Sequence, residues 1–123
     1  MLKNLHQKVI STTQAYYYAG DLKNAEKELR AAIRINHDFT EAHNNLGNLL
    51  KEMGSTKDAE KEYRDAIQIN PDSAEAHANL GILYSETGNK EEAKKELEIA
   101  KDLFEEEGRE ADVKKAEELL KSL

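Results

Sequence analysis

The chain repeats itself every 34 residues, and this period constrains its fold more than any other feature. Gly20, Gly54 and Gly88 are spaced by 34, as are Ala25, Ala59 and Ala93, and again Ala32, Ala66 and Ala100. Ile35, Ile69 and Leu103 keep the interval. Three units follow, 6–39, 40–73 and 74–107, with five residues before them and 16 after. The second and third align without a gap: Glu41/Glu75, Ala42/Ala76, His43/His77, Asn45/Asn79, Leu46/Leu80, Gly47/Gly81 and Leu49/Leu83 are identical pairs. Repetition at this period marks stacked supersecondary units, each too small to bury its own apolar face.

Each unit reads as two helices. In the second, Ala42, Leu46, Leu49, Leu50 and Met53 make one apolar face at helical spacing, and Ala59, Tyr63, Ala66, Ile67 and Ile69 make another. Gly54 separates them, as glycine readily takes the left-handed conformation that ends a helix. Asp21, Ser55 and Asn89 follow the turn glycines as N-caps, and Asp38 with Glu41 and Asp72 with Glu75 read as capping boxes. The predicted helices are 2–19, 22–36, 40–53, 56–69, 74–87, 90–107 and 109–121. The last carries Val113, Ala116, Leu120 and Leu123 on one side and charges on the other, as the closing helix of a stacked array requires.

These residues resemble the tetratricopeptide repeat family. Its pattern sets an aromatic residue, then Leu-Gly, Tyr, Ala, a large residue and Pro at fixed offsets. The second unit offers His43, Leu46, Gly47, Leu50, Ala59, Tyr63 and Pro71. The third offers His77, Leu80, Gly81, Tyr84, Ala93 and Leu97, with Glu105 in place of Pro. The first offers Val9, Thr12, Thr13, Tyr16, Ala25 and Leu29, with His37 in place of Pro; Thr12-Thr13 replaces Leu-Gly. The resemblance implies an all-α fold: one domain over 1–123, a right-handed superhelical solenoid of three helix-turn-helix repeats plus a capping helix at 109–121. It also implies that the first helices of the repeats line a concave groove and that small residues such as Gly47, Gly81, Ala59 and Ala93 let helices approach closely.

The same resemblance implies a protein–protein interaction scaffold that holds a peptide or partner segment in that groove. Groove positions are Gln7, Ile10, Ser11, Gln14, Tyr17 and, at the edge, Tyr18 on the first helix; Glu41, Asn44, Asn45, Asn48, Lys51 and Glu52 on the third; and Glu75, Asn79, Ile82, Ser85 and Glu86 on the fifth. Asn45 and Asn79 share one repeat position. A carboxamide donates to a peptide carbonyl and accepts from a peptide N–H, so these side chains suit an extended backbone. Similar asparagine ladders bind substrate peptide in O-linked N-acetylglucosamine transferases. The alternative for these residues is hydrogen bonding to helix termini or water. Members that clamp the acidic tails of heat-shock chaperones use Lys, Asn and Arg where this chain has Ile10, Gln14, Asn45, Glu75 and Asn79. Only the asparagine is kept, and Glu41 and Glu75 repel a carboxylate tail.

Charge narrows the partner. The chain has 18 basic and 25 acidic residues, a net charge of −7. Residues 1–39 carry +2, 40–73 carry −3, 74–107 carry −6 and 108–123 carry none. A nucleic-acid partner is disfavoured, and the acidic third repeat suits a basic or mixed-charge peptide. No apolar run reaches the ~20 residues of a membrane span. The chain contains no cysteine, which fits a cytoplasmic setting. No catalytic set, phosphate loop or cofactor motif is present in the sequence, so no enzyme activity or cofactor is expected. His43 and His77 read as packing residues on neighbouring helices about 10 Å apart, not metal ligands, and His6 and His37 as terminal or turn residues. Tyr16-Tyr17-Tyr18 is the one aromatic cluster, and reads either as an interface anchor or as packing against the second helix or the N-terminal segment. Two other readings are a homo-oligomeric assembly module that self-associates through the apolar first helix, and a targeting domain of a larger protein.

Overall fold

The computed structural model describes residues 2–123, with side chains from residue 6 onward. The described residues form seven α-helices and no strand: α1 (Leu2–Tyr18), α2 (Leu22–Ile35), α3 (Thr40–Glu52), α4 (Thr56–Ile69), α5 (Ala74–Glu86), α6 (Lys90–Glu106) and α7 (Glu110–Lys121). Each predicted helix is present, with ends displaced by no more than one residue. The chain divides into two compact units, 1–62 and 63–123, with the division inside α4.

The turn within each helical pair has one construction. Gly20, Gly54, Gly88 and Gly108 have φ of +80°, +84°, +83° and +72°. The following amide reaches back to the last helical turn: Asp21 to Tyr16, Ser55 to Leu50 and Asn89 to Tyr84 at 2.8 Å, and Arg109 to Phe104 at 2.9 Å. This is the Schellman closure, in which the left-handed residue redirects the chain and satisfies an orphan carbonyl. Gly108 places the same closure after α6, so the third repeat ends on a glycine turn where the first two end on the turns at Asn36 and Asn70.

The turns between repeats depart from the expected capping boxes. Asp21 does cap α2, accepting from the Asn24 amide at 3.2 Å. By contrast, α3 starts from Phe39, which supplies no side-chain cap, and α5 starts from Ser73, whose Oγ accepts from the Ala76 amide at 3.2 Å. Asp38 and Asp72 are therefore not the caps. The turns are held by Asn36 and Asn70, whose Oδ1 atoms accept from the amides of Asp38 and Asp72 at 3.2 Å. Asparagine side chains commonly mimic a backbone turn in this way. Asn89, at the N-cap of α6, makes no side-chain cap bond.

In the N-terminal unit α2 packs on both α1 and α3. Ala25, Leu29, Ala42, Leu46, Leu49 and Leu50 are buried there, together with Phe39. His6 stacks on Phe39 with centroids 4.0 Å apart and accepts from the Asn36 amide group at 3.0 Å, so it is a packing residue instead of a loose terminal one. In the C-terminal unit α6 packs on α5 and α7. A Cβ added to Gly81 of α5 would lie 2.7 Å from Leu97 Cγ and 3.2 Å from the Leu97 backbone nitrogen. The small residue thus sets the α5–α6 approach, as the repeat pattern predicts. The cap α7 buries Ala116, and Val113 packs against Ala74, Ala100 and Phe104.

Candidate functional site

The candidate site lies on the N-terminal unit, where α1 and α3 face each other across a cleft floored by α2. A concave pocket of about 430 Å³ is lined by Gln14, Tyr17 and Tyr18 of α1 and by Asn45, Asn48, Lys51 and Glu52 of α3. Its floor is Ala25 and Leu29 of α2 with Leu49 and Thr13. The helical period explains the α3 wall: Asn45, Asn48 and Glu52 recur at spacings of three and four, so one stripe of the helix faces the cleft. Glu41 begins the same stripe and is exposed beyond the pocket.

Three features make this wall receptive to a ligand. The Asn45 carboxamide is half-buried and makes no hydrogen bond among the described residues. Thr13 is 6% exposed and its Oγ1 has no hydrogen-bond partner among the described residues. Burying a hydroxyl without a partner is costly, so that oxygen is a standing acceptor and donor at the pocket floor. Finally, the Tyr17 hydroxyl donates to Glu52 Oε1 at 2.9 Å, which ties the rim of α1 to the end of α3. That hydrogen bond, with the charge of Glu52 beside it, raises the Tyr17 pKa above its ordinary value.

Four of the nine expected site residues, Gln14, Tyr17, Asn45 and Asn48, meet in this pocket. Asn44 does not belong to the open wall, because it is 8% exposed and turned into the packing of α3. Glu41 lies outside the pocket, and the remaining three are on α5 in the C-terminal unit. Asn79 and Ile82 are half-buried there, and the Asn79 carboxamide, like that of Asn45, makes no hydrogen bond among the described residues. Glu75 is exposed but engaged: Arg109, the N-cap of α7, donates to it while also bonding Asp112 at 2.9 Å and lying 4.8 Å over the Phe104 ring. The hydrogen bond that Arg109 donates to Glu75 is the main reason the Arg109 pKa is raised. Glu75 therefore helps fasten the cap and is less available to repel an anion than expected.

The sequence-based view of His43 and His77 as packing residues misses a repeated polar construction. His77 Nδ1 donates to Glu96 of α6 at 2.6 Å and Nε2 donates to the Pro71 carbonyl at 2.8 Å. His43 does the same with Glu62 at 2.9 Å and the His37 carbonyl at 3.0 Å. Every partner is one repeat from its counterpart: His43/His77, Glu62/Glu96, His37/Pro71. With an acceptor at both ring nitrogens, the imidazolium satisfies the site and a neutral ring satisfies only one side. Burial alone pulls the His77 pKa down, but the Glu96 and Pro71 hydrogen bonds and the charges of Glu96 and Asp72 outweigh it, and the pKa is raised. The sequence signal was the 34-residue recurrence of both His and Glu, 19 residues apart in each repeat.

Comparison with known proteins bears on the fold and the family. A profile described as TPR repeat matches residues 14–54 and 47–88, and one described as tetratricopeptide repeat matches residues 74–107, the limits of the third unit. The chain belongs to the tetratricopeptide repeat family. No curated protein matches its sequence significantly. Among solved structures it resembles SycD, a type III secretion translocator chaperone of Yersinia enterocolitica, with a TM-score of 0.89 at 18% identity, over 98% of this chain and 91% of that one. It also resembles PcrH, known from Pseudomonas aeruginosa, in complex with the chaperone-binding region of PopD, with a TM-score of 0.88 at 16% identity over 98% and 91%. The TPR2B domain of yeast Sti1 in a pHsp70 complex gives 0.86 at 16% identity over 94% and 92%. At these identities the likeness is one of fold. No helix among the described residues of this tetratricopeptide repeat protein is long and apolar enough to cross a membrane.

Proposed function

We propose that this tetratricopeptide repeat protein is a non-catalytic scaffold that binds an extended peptide segment of a protein partner in the α1–α3 cleft. The observation that carries it is the cleft itself: a pocket of about 430 Å³ in which the Asn45 carboxamide, without a hydrogen bond among the described residues, stands over a floor of Ala25, Leu29 and Leu49 with the buried Thr13. A few placed polar groups over an apolar lining is the usual make-up of a binding pocket. Asn45 and Asn48 take the peptide backbone, and Tyr17 and the floor take side chains. Asn79 of α5, one repeat from Asn45, offers the same carboxamide chemistry, and Ile82, one repeat from Asn48, offers an apolar contact. Solved relatives of this fold are themselves recorded with PopD, PopB and pHsp70, which supports a peptide or protein partner. A setting in the cytoplasm and a partner of basic or mixed charge complete the proposal, in keeping with the −7 net charge.

The test uses peptides selected from a random dodecapeptide display library. Asn45→Ala keeps helicity by circular dichroism and weakens the selected peptides at least several-fold; Asn79→Ala reports on the next repeat. Peptides that bind Asn45→Ala as tightly as the parent reject the cleft as the binding site.

A further inference from the structure

Beside the cleft, the C-terminal end of α1 forms an open depression lined by Tyr17, Tyr18, Gly20, Leu22 and Glu52. Its one formal charge is the Glu52 carboxylate. Glu52 is exposed, receives the Tyr17 hydroxyl on Oε1, and has no cationic partner among the described residues. Next to it stand two exposed aromatic rings. Tyr17 is 42% and Tyr18 81% exposed, and they meet edge to face at 5.6 Å with an interplanar angle of 75°.

We infer that this depression is a recognition site for the side chain of a lysine or arginine in the bound protein segment. Ring faces attract cations through their quadrupole. The edge-to-face arrangement leaves a face of one ring open, and the phenol of Tyr17 holds the carboxylate in place, so the ammonium or guanidinium meets a ring face and an oriented anion together. Glycine at position 20 and the aliphatic Leu22 leave room for the methylene stem that such a side chain lays along apolar surface. Tyr17, Tyr18 and Glu52 line both this depression and the larger pocket, whereas Lys51, the cation of α3, lines only the larger pocket. Apolar occupants leave the Glu52 carboxylate without compensation, and acidic ones are repelled by it. The cationic site presupposes the peptide-binding cleft proposed above, and supplies that cleft with the sequence selectivity that backbone-holding carboxamides lack.

The experiment starts from the same dodecapeptide library, selected in parallel on the parent protein and on Glu52→Gln. Lysine or arginine is enriched at one register position on the parent and not on Glu52→Gln. In a selected peptide, replacing that basic residue by norleucine weakens binding about tenfold to the parent and no more than about twofold to Glu52→Gln. Tyr18→Ala, at a side chain too exposed to disturb folding, weakens the basic peptide by roughly two- to fivefold. Peptides that depend on Asn45 but show neither basic enrichment nor sensitivity to Glu52→Gln overturn the cationic site and leave the cleft standing. Peptides indifferent to Asn45→Ala, or a selection that yields no peptide, overturn both.

Discussion

Gly81→Ala places a helix-propensity gain against a packing loss at one atom. Alanine is more favourable than glycine inside a helix by roughly 1 kcal/mol, so an exposed site would gain from the change. At Gly81 the new Cβ falls 2.7 Å from Leu97 Cγ, 3.0 Å from Leu97 Cδ2 and 3.2 Å from the Leu97 backbone nitrogen. The nearest atom is a branch point close to the backbone, on a fully buried side chain, so it cannot swing aside. Overpacking of this kind costs about 1–3 kcal/mol. The net expectation is a loss of about 1–2 kcal/mol, read as a lower urea midpoint at unchanged slope. Leu97→Ala removes the obstructing atoms at its own cost of about 2–5 kcal/mol. In that background Gly81→Ala becomes neutral or stabilising, which gives the pair a coupling of about 2 kcal/mol. Gly81→Ala that stabilises the parent, or costs as much with Leu97 truncated, refutes the claim that this glycine sets the α5–α6 approach.

The histidine construction makes stability depend on pH. The folded-state pKa of His77 lies above the unfolded value of about 6.5, so its contribution is complete below that pH and is lost as pH rises through the folded value. Urea midpoints of the parent therefore fall from pH 6 to 9, and Glu96→Gln, which removes the negative charge facing Nδ1, shows a flatter decline; a parent that gains on the alkaline side relative to Glu96→Gln contradicts this. Asp21→Ala leaves the Asn24 amide without its acceptor and costs about 1 kcal/mol. Hydrogen exchange should localise that loss to the start of α2, whereas Asp72→Ala, at a residue that caps nothing, changes the start of α5 little.

Most of the fold was legible because the period repeats information. Turn glycines, small residues at close contacts and large residues between them recur at 34, and each copy corroborates the others. The misassigned caps show where such reading stops. Asp38 and Asp72 have the residue type and spacing of a capping box, but Asn36 and Asn70 compete for the same turn, and the choice depends on backbone angles. The site was legible as a list of positions on one helical face. Asn45 and Asn48 follow from the stripe of α3 alone. The burial of Asn44 does not, because it depends on how α3 rolls against its neighbours. The capture of Glu75 by Arg109 joins residues 34 apart in sequence through the cap, and the Tyr17–Glu52 bond joins residues 35 apart. Neither can be read from a local pattern.

The central claim is that the α1–α3 cleft holds a peptide. Chemical-shift mapping of a library-selected dodecapeptide on the isotopically labelled full chain tests it most directly. The account predicts perturbations concentrated on Thr13, Gln14, Tyr17, Asn45, Asn48 and Leu29, with the exposed residues Glu91, Glu92 and Glu98 of α6 unmoved. Perturbations centred on α6, with the residues of α1 and α3 unchanged, contradict it.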